Sequence, residues 1–121
     1  MVTLSSPNSA PSAAEVLHAR YTGRLPASLE ELAGPAHGVV ELPLHVAWSG
    51  LRAYDLARPR LRMGLYRTVL AEGQHEDLVT LLNRDLLVAQ WPVLRTLVSR
   101  HLRQVWEDSF PELAALGSAA A

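Results

Sequence analysis

Apolar residues recur along the chain at helical spacing in most segments and at a spacing of two in one. In Val39-Val-Glu-Leu-Pro-Leu-His-Val-Ala-Trp48 the even positions are all large and apolar, and the odd positions from 41 onward are polar, small or proline. A period of two predicts an extended strand with Val40, Leu42, Leu44, Val46 and Trp48 on one face. Ser49-Gly50 offers a two-residue turn, and Leu51 to Leu56 a second alternating run, so a β-hairpin is expected. The helical segments are also legible from their ends. Ala14 to Tyr21 reads as a short helix, interrupted by Gly23 and Pro26. A second turn over Leu29–Leu32 is expected to be capped by Ser28, with Glu31 at the reciprocal position. Gly34-Pro35 stops it. Pro59 suits the first turn of a helix that runs to Ala71 or Glu72 and stops before Gly73.

On that helix, Leu61, Leu65, Tyr66 and Val69 share one face at about 100° per residue. Arg58 and Arg62 sit beside this stripe, while Arg60 and Arg67 lie roughly opposite. Arg62 therefore calls for a carboxylate, which is expected to be Asp55, Asp85 or one supplied by a partner. A third helix is expected over Glu76–Leu82, its acids favoured at the positive end. Asn83 is an interior residue or the cap of a fourth helix through Gln90, which Trp91-Pro92 is expected to end. The last helix is placed from Leu97 to Asp108. Leu97, Val98, His101, Leu102, Val105 and Trp106 fill one half of it, and Arg103 and Glu107 are spaced for an ion pair. Phe110-Pro111 closes the domain. The fold class expected is α+β, mainly α: one β-hairpin packed against four or five short helices. Residues 1–14 read as a disordered tail, 15–113 as one globular domain and 114–121 as a flexible tail.

Composition removes several chemistries. The 121 residues hold no cysteine, so disulfides and thiolate catalysis are absent, and with a net charge of −1 the whole molecule has no strong pull toward nucleic acid or anionic lipid. No apolar run approaches the roughly 18 residues of a membrane span, and no secretory pattern opens the chain, so a cytoplasmic location is expected. All eleven basic residues are arginine, which excludes a Schiff-base lysine and favours bidentate pairing with carboxylates or phosphates. His18, His37, His45, His75 and His101 have no HExxH spacing. His37 and His45 come close to a pair, but too few ligands lie in register, so no metal is expected. No Gly-x-Ser-x-Gly elbow or phosphate-cradling glycine loop occurs, and neither an enzymatic role nor a cofactor is expected.

The remaining candidates are contact residues. Trp48 ends the expected strand beside its turn, and tryptophan and arginine are enriched at binding hot spots. Trp48, Arg52, Tyr54 and Arg62 are the expected partner-binding residues. Strand addition to a hairpin edge is the expected mode, with Pro43 guarding one edge. The arginines at 52, 58, 60, 62 and 67 support an alternative, a small DNA-binding transcriptional regulator. A homo-oligomer joined through hairpin edges is a third reading.

Several segments, in order, resemble a known group. They are Leu42-Pro-Leu-His-Val-Ala-Trp-Ser-Gly50, Tyr54-Asp-Leu-Ala-Arg-Pro59, Arg62 with Leu65-Tyr-Arg-Thr-Val-Leu-Ala-Glu-Gly73, Leu81-Leu-Asn-Arg-Asp-Leu-Leu87, Trp91-Pro92 and Val105-Trp-Glu-Asp-Ser-Phe-Pro111. Over about residues 39 to 113 the chain resembles small helical proteins of GC-rich bacteria encoded beside AbiEii-like nucleotidyltransferase toxins. The resemblance implies a non-catalytic partner, an antitoxin or accessory protein of a toxin–antitoxin system acting on a nucleotidyltransferase. It assigns no residue a role. The chain has no recognisable winged-helix segment of the kind many such antitoxins use on DNA.

Overall fold

The computed structural model describes residues 12–47 and 50–120. Among these residues the chain forms six α-helices, one 3-10 turn and a two-stranded antiparallel sheet, an α+β fold that is mainly α. The order is α1 (Ala13–Thr22), a 3-10 turn (Leu29–Glu31), β1 (Val39–Glu41), β2 (Ala53–Asp55), α2 (Pro59–Glu72), α3 (His75–Leu81), α4 (Arg84–Leu97), α5 (Arg100–Ser109) and α6 (Pro111–Ala120).

Local chemistry accounts for most of the boundaries. Ser12 and Glu15 form a reciprocal capping box, Glu15 N–H to Ser12 Oγ at 3.1 Å and Ser12 N–H to Glu15 Oε1 at 2.7 Å. The helix thus begins at Ala13, inside the segment assigned to the N-terminal tail; residues 1–11 of that tail lie outside the described residues. Ser28 makes no side-chain cap. Neither half of the expected box forms: Glu31 Oε1 accepts instead from Ala27 N–H, one residue before Ser28, at 3.1 Å. Pro59 is the first residue of α2, and Gly73 ends it by donating its N–H to Val69 O. Asn83 caps α4, accepting from Leu86 N–H at 3.1 Å. Ser99 caps α5 through Leu102 N–H at 3.2 Å.

The hairpin is shorter than its apolar alternation implies. Val39 pairs with Asp55, Val40 with Tyr54 and Glu41 with Ala53; the ladder continues through Leu42 N–H to Arg52 O at 2.7 Å and Leu56 N–H to Gly38 O at 2.8 Å. A turn confined to Ser49-Gly50 would have set Val46 opposite Ala53, the place that Glu41 holds. The ladder instead ends at Leu42, and Pro43 follows. Its carbonyl accepts from both Val46 N–H (3.0 Å) and Ala47 N–H (3.1 Å), which winds 43–47 into a helical turn. Val46 still reaches the core, but Leu44 is 65% exposed, contrary to its expected place on the inner face. Trp48 and Ser49 lie outside the described residues.

Proline also marks two differences at the helical end. Pro92 lies inside α4, which continues to Leu97 instead of stopping at Trp91. An internal proline costs about 3 kcal/mol, yet Leu87, Trp91 and Leu94 are each wholly buried on one face, and that burial outweighs the cost. Helix α5 consequently starts at Arg100, not Leu97, and Leu97 and Val98 belong to the end of α4. Pro111 opens a sixth helix rather than closing the domain, so 114–120 is helical where the sequence reading has a flexible tail. Leu113 anchors that helix in the core, and α6 packs on α4 and α5.

One core joins the two parts. Val40, Leu42, Tyr54 and Leu56 cover α2 through Leu65, Tyr66 and Val69, and Trp91, Leu102, Trp106 and Leu113 continue it among α4, α5 and α6. Gly34 inserts against the backbone of Leu81 and Leu82: its N–H donates to Leu82 O at 2.8 Å, and a Cβ there would sit 2.4 Å from Leu81 C. Only glycine permits that approach.

Candidate protein-interaction surface

The hairpin presents two different edges. Residues 38, 40 and 42 are the ones that exchange hydrogen bonds with β2, as the bonds at Gly38 and Leu42 fix by alternation. The N–H and C=O groups of Val39 and Glu41 therefore point away from β2. Among the described residues none of these four groups has a hydrogen-bond partner, and both residues are exposed, Val39 by 65%. Pro43, at the next outward position, has no N–H to offer and limits the open edge to Val39 and Glu41. Gly38, at φ 92°, sets its other end. The β2 edge differs: Asp55 O accepts from Arg58 N–H at 3.0 Å, Asp55 Oδ1 accepts from Ala57 N–H at 3.0 Å, and α2 packs against this strand.

A groove of about 410 Å³ lies behind the hairpin loop. Val46, Ala47, Tyr54, Val98 and Leu102 line its apolar part, and Arg67, Thr68, Glu72 and Ser99 its polar part. Leu51 (53% exposed) and Leu97 (45% exposed) stand at its border. The loop is pinned across to α3, with His45 Nε2 and Asp77 Oδ2 at 2.8 Å. Asp77 Oδ2 also accepts from Gln74 N–H at 2.9 Å, so one carboxylate caps α3 and fixes the loop. His45 thus meets Asp77 and not His37. Among the described residues no three His, Asp or Glu side chains gather as a metal site.

The expected contact residues do not form one patch. Arg52 is exposed, and its carbonyl closes the ladder. Tyr54 is a core residue, 6% exposed, because its even register places it on the inner face with Val40. That burial removes it as a contact residue. Trp48 is outside the described residues. Arg62 is half-buried and reaches neither Asp55 nor Asp85: its Nη1 donates to Leu56 O at 2.9 Å, while its Nε is buried without a partner. Leu56 turns its carbonyl toward the first turns of α2, and Asp55 is engaged with Ala57 and Asp85 with Arg84. Arg52, Arg58, Arg60 and Arg67 are exposed and form no ion pair among the described residues.

Two buried polar clusters are structural. Tyr66 is wholly buried and its hydroxyl accepts from Asn83 N–H at 2.9 Å. Burial pushes its pKa up to about 12, against the smaller opposing effects of the Asn83 bond and the Arg62 charge, so it does not serve as a base near neutrality. Glu107 accepts from Trp91 Nε1 at 2.9 Å and Arg95 Nε at 2.7 Å, and not from Arg103 as its spacing suggests. Position 95 wins because Trp91 and Arg95, one helical turn apart on α4, direct two donors at one carboxylate oxygen. A free hairpin edge was readable, but side-chain alternation separates the faces of a strand and not its edges, so it did not single out the backbone of Val39 and Glu41. Asp77 and His45, far apart in sequence, gave no signal. No helix among the described residues is long and apolar enough to cross a membrane. Comparison of the chain with protein-family models, with curated proteins and with solved structures finds no match in any of the three.

Proposed function

We propose that this protein is a non-catalytic binding module that captures another protein by strand addition to the outer edge of β1. The open backbone of Val39 and Glu41 carries the reading. Both residues are held extended by the β2 ladder and by burial of Val40 and Leu42, so little ordering entropy remains to be lost when a strand arrives. The groove with Leu51 and Leu97 at its border adds an apolar surface behind the hairpin loop. In keeping with the resemblance of residues 39 to 113, the proposed partner is a nucleotidyltransferase and the role antitoxin-like.

Affinity capture of the tagged chain from its own cell extract, with mass spectrometry, tests the identity. Stoichiometric recovery of a nucleotidyltransferase, followed by loss of nucleotidyl transfer when the two are mixed, is the expected result. Recovery of an unrelated partner, or undiminished transfer in the complex, rejects the antitoxin-like role.

A second reading rests on the exposed arginines at 52, 58, 60 and 67, none in an ion pair among the described residues: a small DNA-binding regulator. Such binding weakens steeply with salt. A flat salt response, or no binding to duplex DNA, removes this alternative.

A further inference from the structure

We infer that the strand accepted by β1 is antiparallel and carries a basic residue followed two positions later by an apolar one. The inference rests on the strand-addition reading above and adds the chemistry of the incoming segment. Because Val40 faces the core, Val39 and Glu41 direct their side chains to the opposite face of the sheet, together with Ala53 and Asp55. Of these four residues two are carboxylates and none is basic. Neither Glu41 nor Asp55 is in an ion pair among the described residues, and Asp55 uses Oδ1 on the Ala57 amide. Charge complementarity therefore selects a cation opposite Glu41 and an apolar side chain opposite Val39.

Direction follows from economy of pairing. An antiparallel strand satisfies the four outward groups with two residues two apart, whereas a parallel strand must span about five residues to reach the same groups and pairs slightly less stably per residue. An antiparallel strand places one residue directly opposite Glu41 and another opposite Val39, and each exchanges both N–H···O bonds with its partner. All four outward groups are then satisfied. Read from its N-terminus, the incoming strand meets Glu41 first and Val39 two residues later, which fixes the order basic, any, apolar. A second copy of this chain fits less well. The two-fold register that satisfies the same four groups centres on Val40 and sets Val39 of each copy against Glu41 of the other, an apolar side chain against a carboxylate. A register centred on Glu41 opposes two like charges, and one centred on Val39, which would set His37 against Glu41, requires an extended backbone at Gly38, whose φ of 92° turns His37 out of the strand.

The test uses the full chain labelled with nitrogen-15 and the blocked peptide Thr-Arg-Thr-Val-Thr, compared with Thr-Glu-Thr-Val-Thr. Three residues of edge give an affinity of roughly millimolar order, within reach of NMR titration. The expected result is a shift of the Val39 and Glu41 amide signals, with the arginine peptide binding about fivefold more tightly than the glutamate peptide. Glu41→Arg should reverse that order. Equal affinities with shifts still centred on Val39 and Glu41 would overturn the charge rule while leaving strand addition in place. No response at these two amides with either peptide overturns both. Concentration-dependent shifts at the same amides without peptide would replace the assigned occupant with a second copy.

Discussion

Glu107 holds three helices together, and its replacement gives a quantitative check on the packed half of the molecule. Its carboxylate accepts from the buried Trp91 indole at 2.9 Å and from Arg95 at 2.7 Å, tying α5 to the two turns of α4 that flank Pro92. The Glu107 and Arg95 side chains are only 16% and 21% exposed. Gly117 of α6 packs directly on the pair, since a Cβ there would lie 2.7 Å from Glu107 Oε2. In Glu107→Gln an amide oxygen at the Oε2 position still accepts from Trp91 Nε1 and Arg95 Nε, but the charge of the pair is lost and the new amide nitrogen opposes Arg95 Nη2, which lies 3.4 Å from Oε1. One buried donor is left unsatisfied, at a cost of about 1–3 kcal/mol. Arg95 retains a path to water, so screening reduces its share, and we expect a total loss of about 2 kcal/mol. Burial raises the Glu107 pKa, but the Arg95 and Trp91 hydrogen bonds with the charges of Arg95 and Arg103 outweigh it, and the net shift is downward. A carboxyl whose folded pKa is depressed contributes stability above its unfolded pKa, about 4.3, and loses it as pH falls through the folded value. Urea denaturation of both proteins at pH 7 and near pH 3 should thus show the gap between them narrowing on acidification. A gap under about 0.5 kcal/mol at pH 7 would refute the role given to this pair, and a gap that does not change with pH would refute the linkage.

Two further substitutions test the packing. Gly34→Ala forces a methyl group into the Leu81 backbone, which has no rotamer to yield, and should cost about 3 kcal/mol or unfold the chain; near-wild-type urea stability would contradict the close approach. Asn83→Ala removes both the α4 cap and the 3.2 Å bond from Nδ2 to Gly34 O, an expected loss of about 2 kcal/mol in the same assay, and a loss below about 0.5 kcal/mol would contradict it.

What the sequence made legible depended on whether the deciding interaction was local. Helix α2 was readable at both ends because Pro59 and Gly73 act within a turn of themselves, and its buried stripe followed from period alone. Strand β1 was readable to Leu42. Beyond it the same apolar alternation continued, but the Pro43 carbonyl drew Val46 and Ala47 into a turn, and spacing alone does not separate these outcomes. The stop expected of proline failed at Pro92, where packing of α4 outweighed local preference, and at Pro111, which takes the first position of α6, a place that proline favours as it does at Pro59. Side-chain partners were the least legible. Arg62 found a carbonyl instead of a carboxylate, and Glu107 chose an arginine twelve residues away over one four residues away. On the candidate surface, Tyr54 was expected as a contact residue, whereas its register buries it.

The β1 edge is the centre of the functional account, and one substitution addresses it without touching the core. Glu41→Pro removes an outward N–H that the β2 ladder does not use, a position where an edge strand tolerates proline. Val39→Pro serves the same purpose should the first variant unfold. Circular dichroism should show wild-type helicity, and affinity capture from the chain's own cell extract should then be compared with wild type. Loss of the stoichiometric partner from a folded variant is the predicted result; a folded variant that retains the partner as fully as wild type would contradict strand addition at β1.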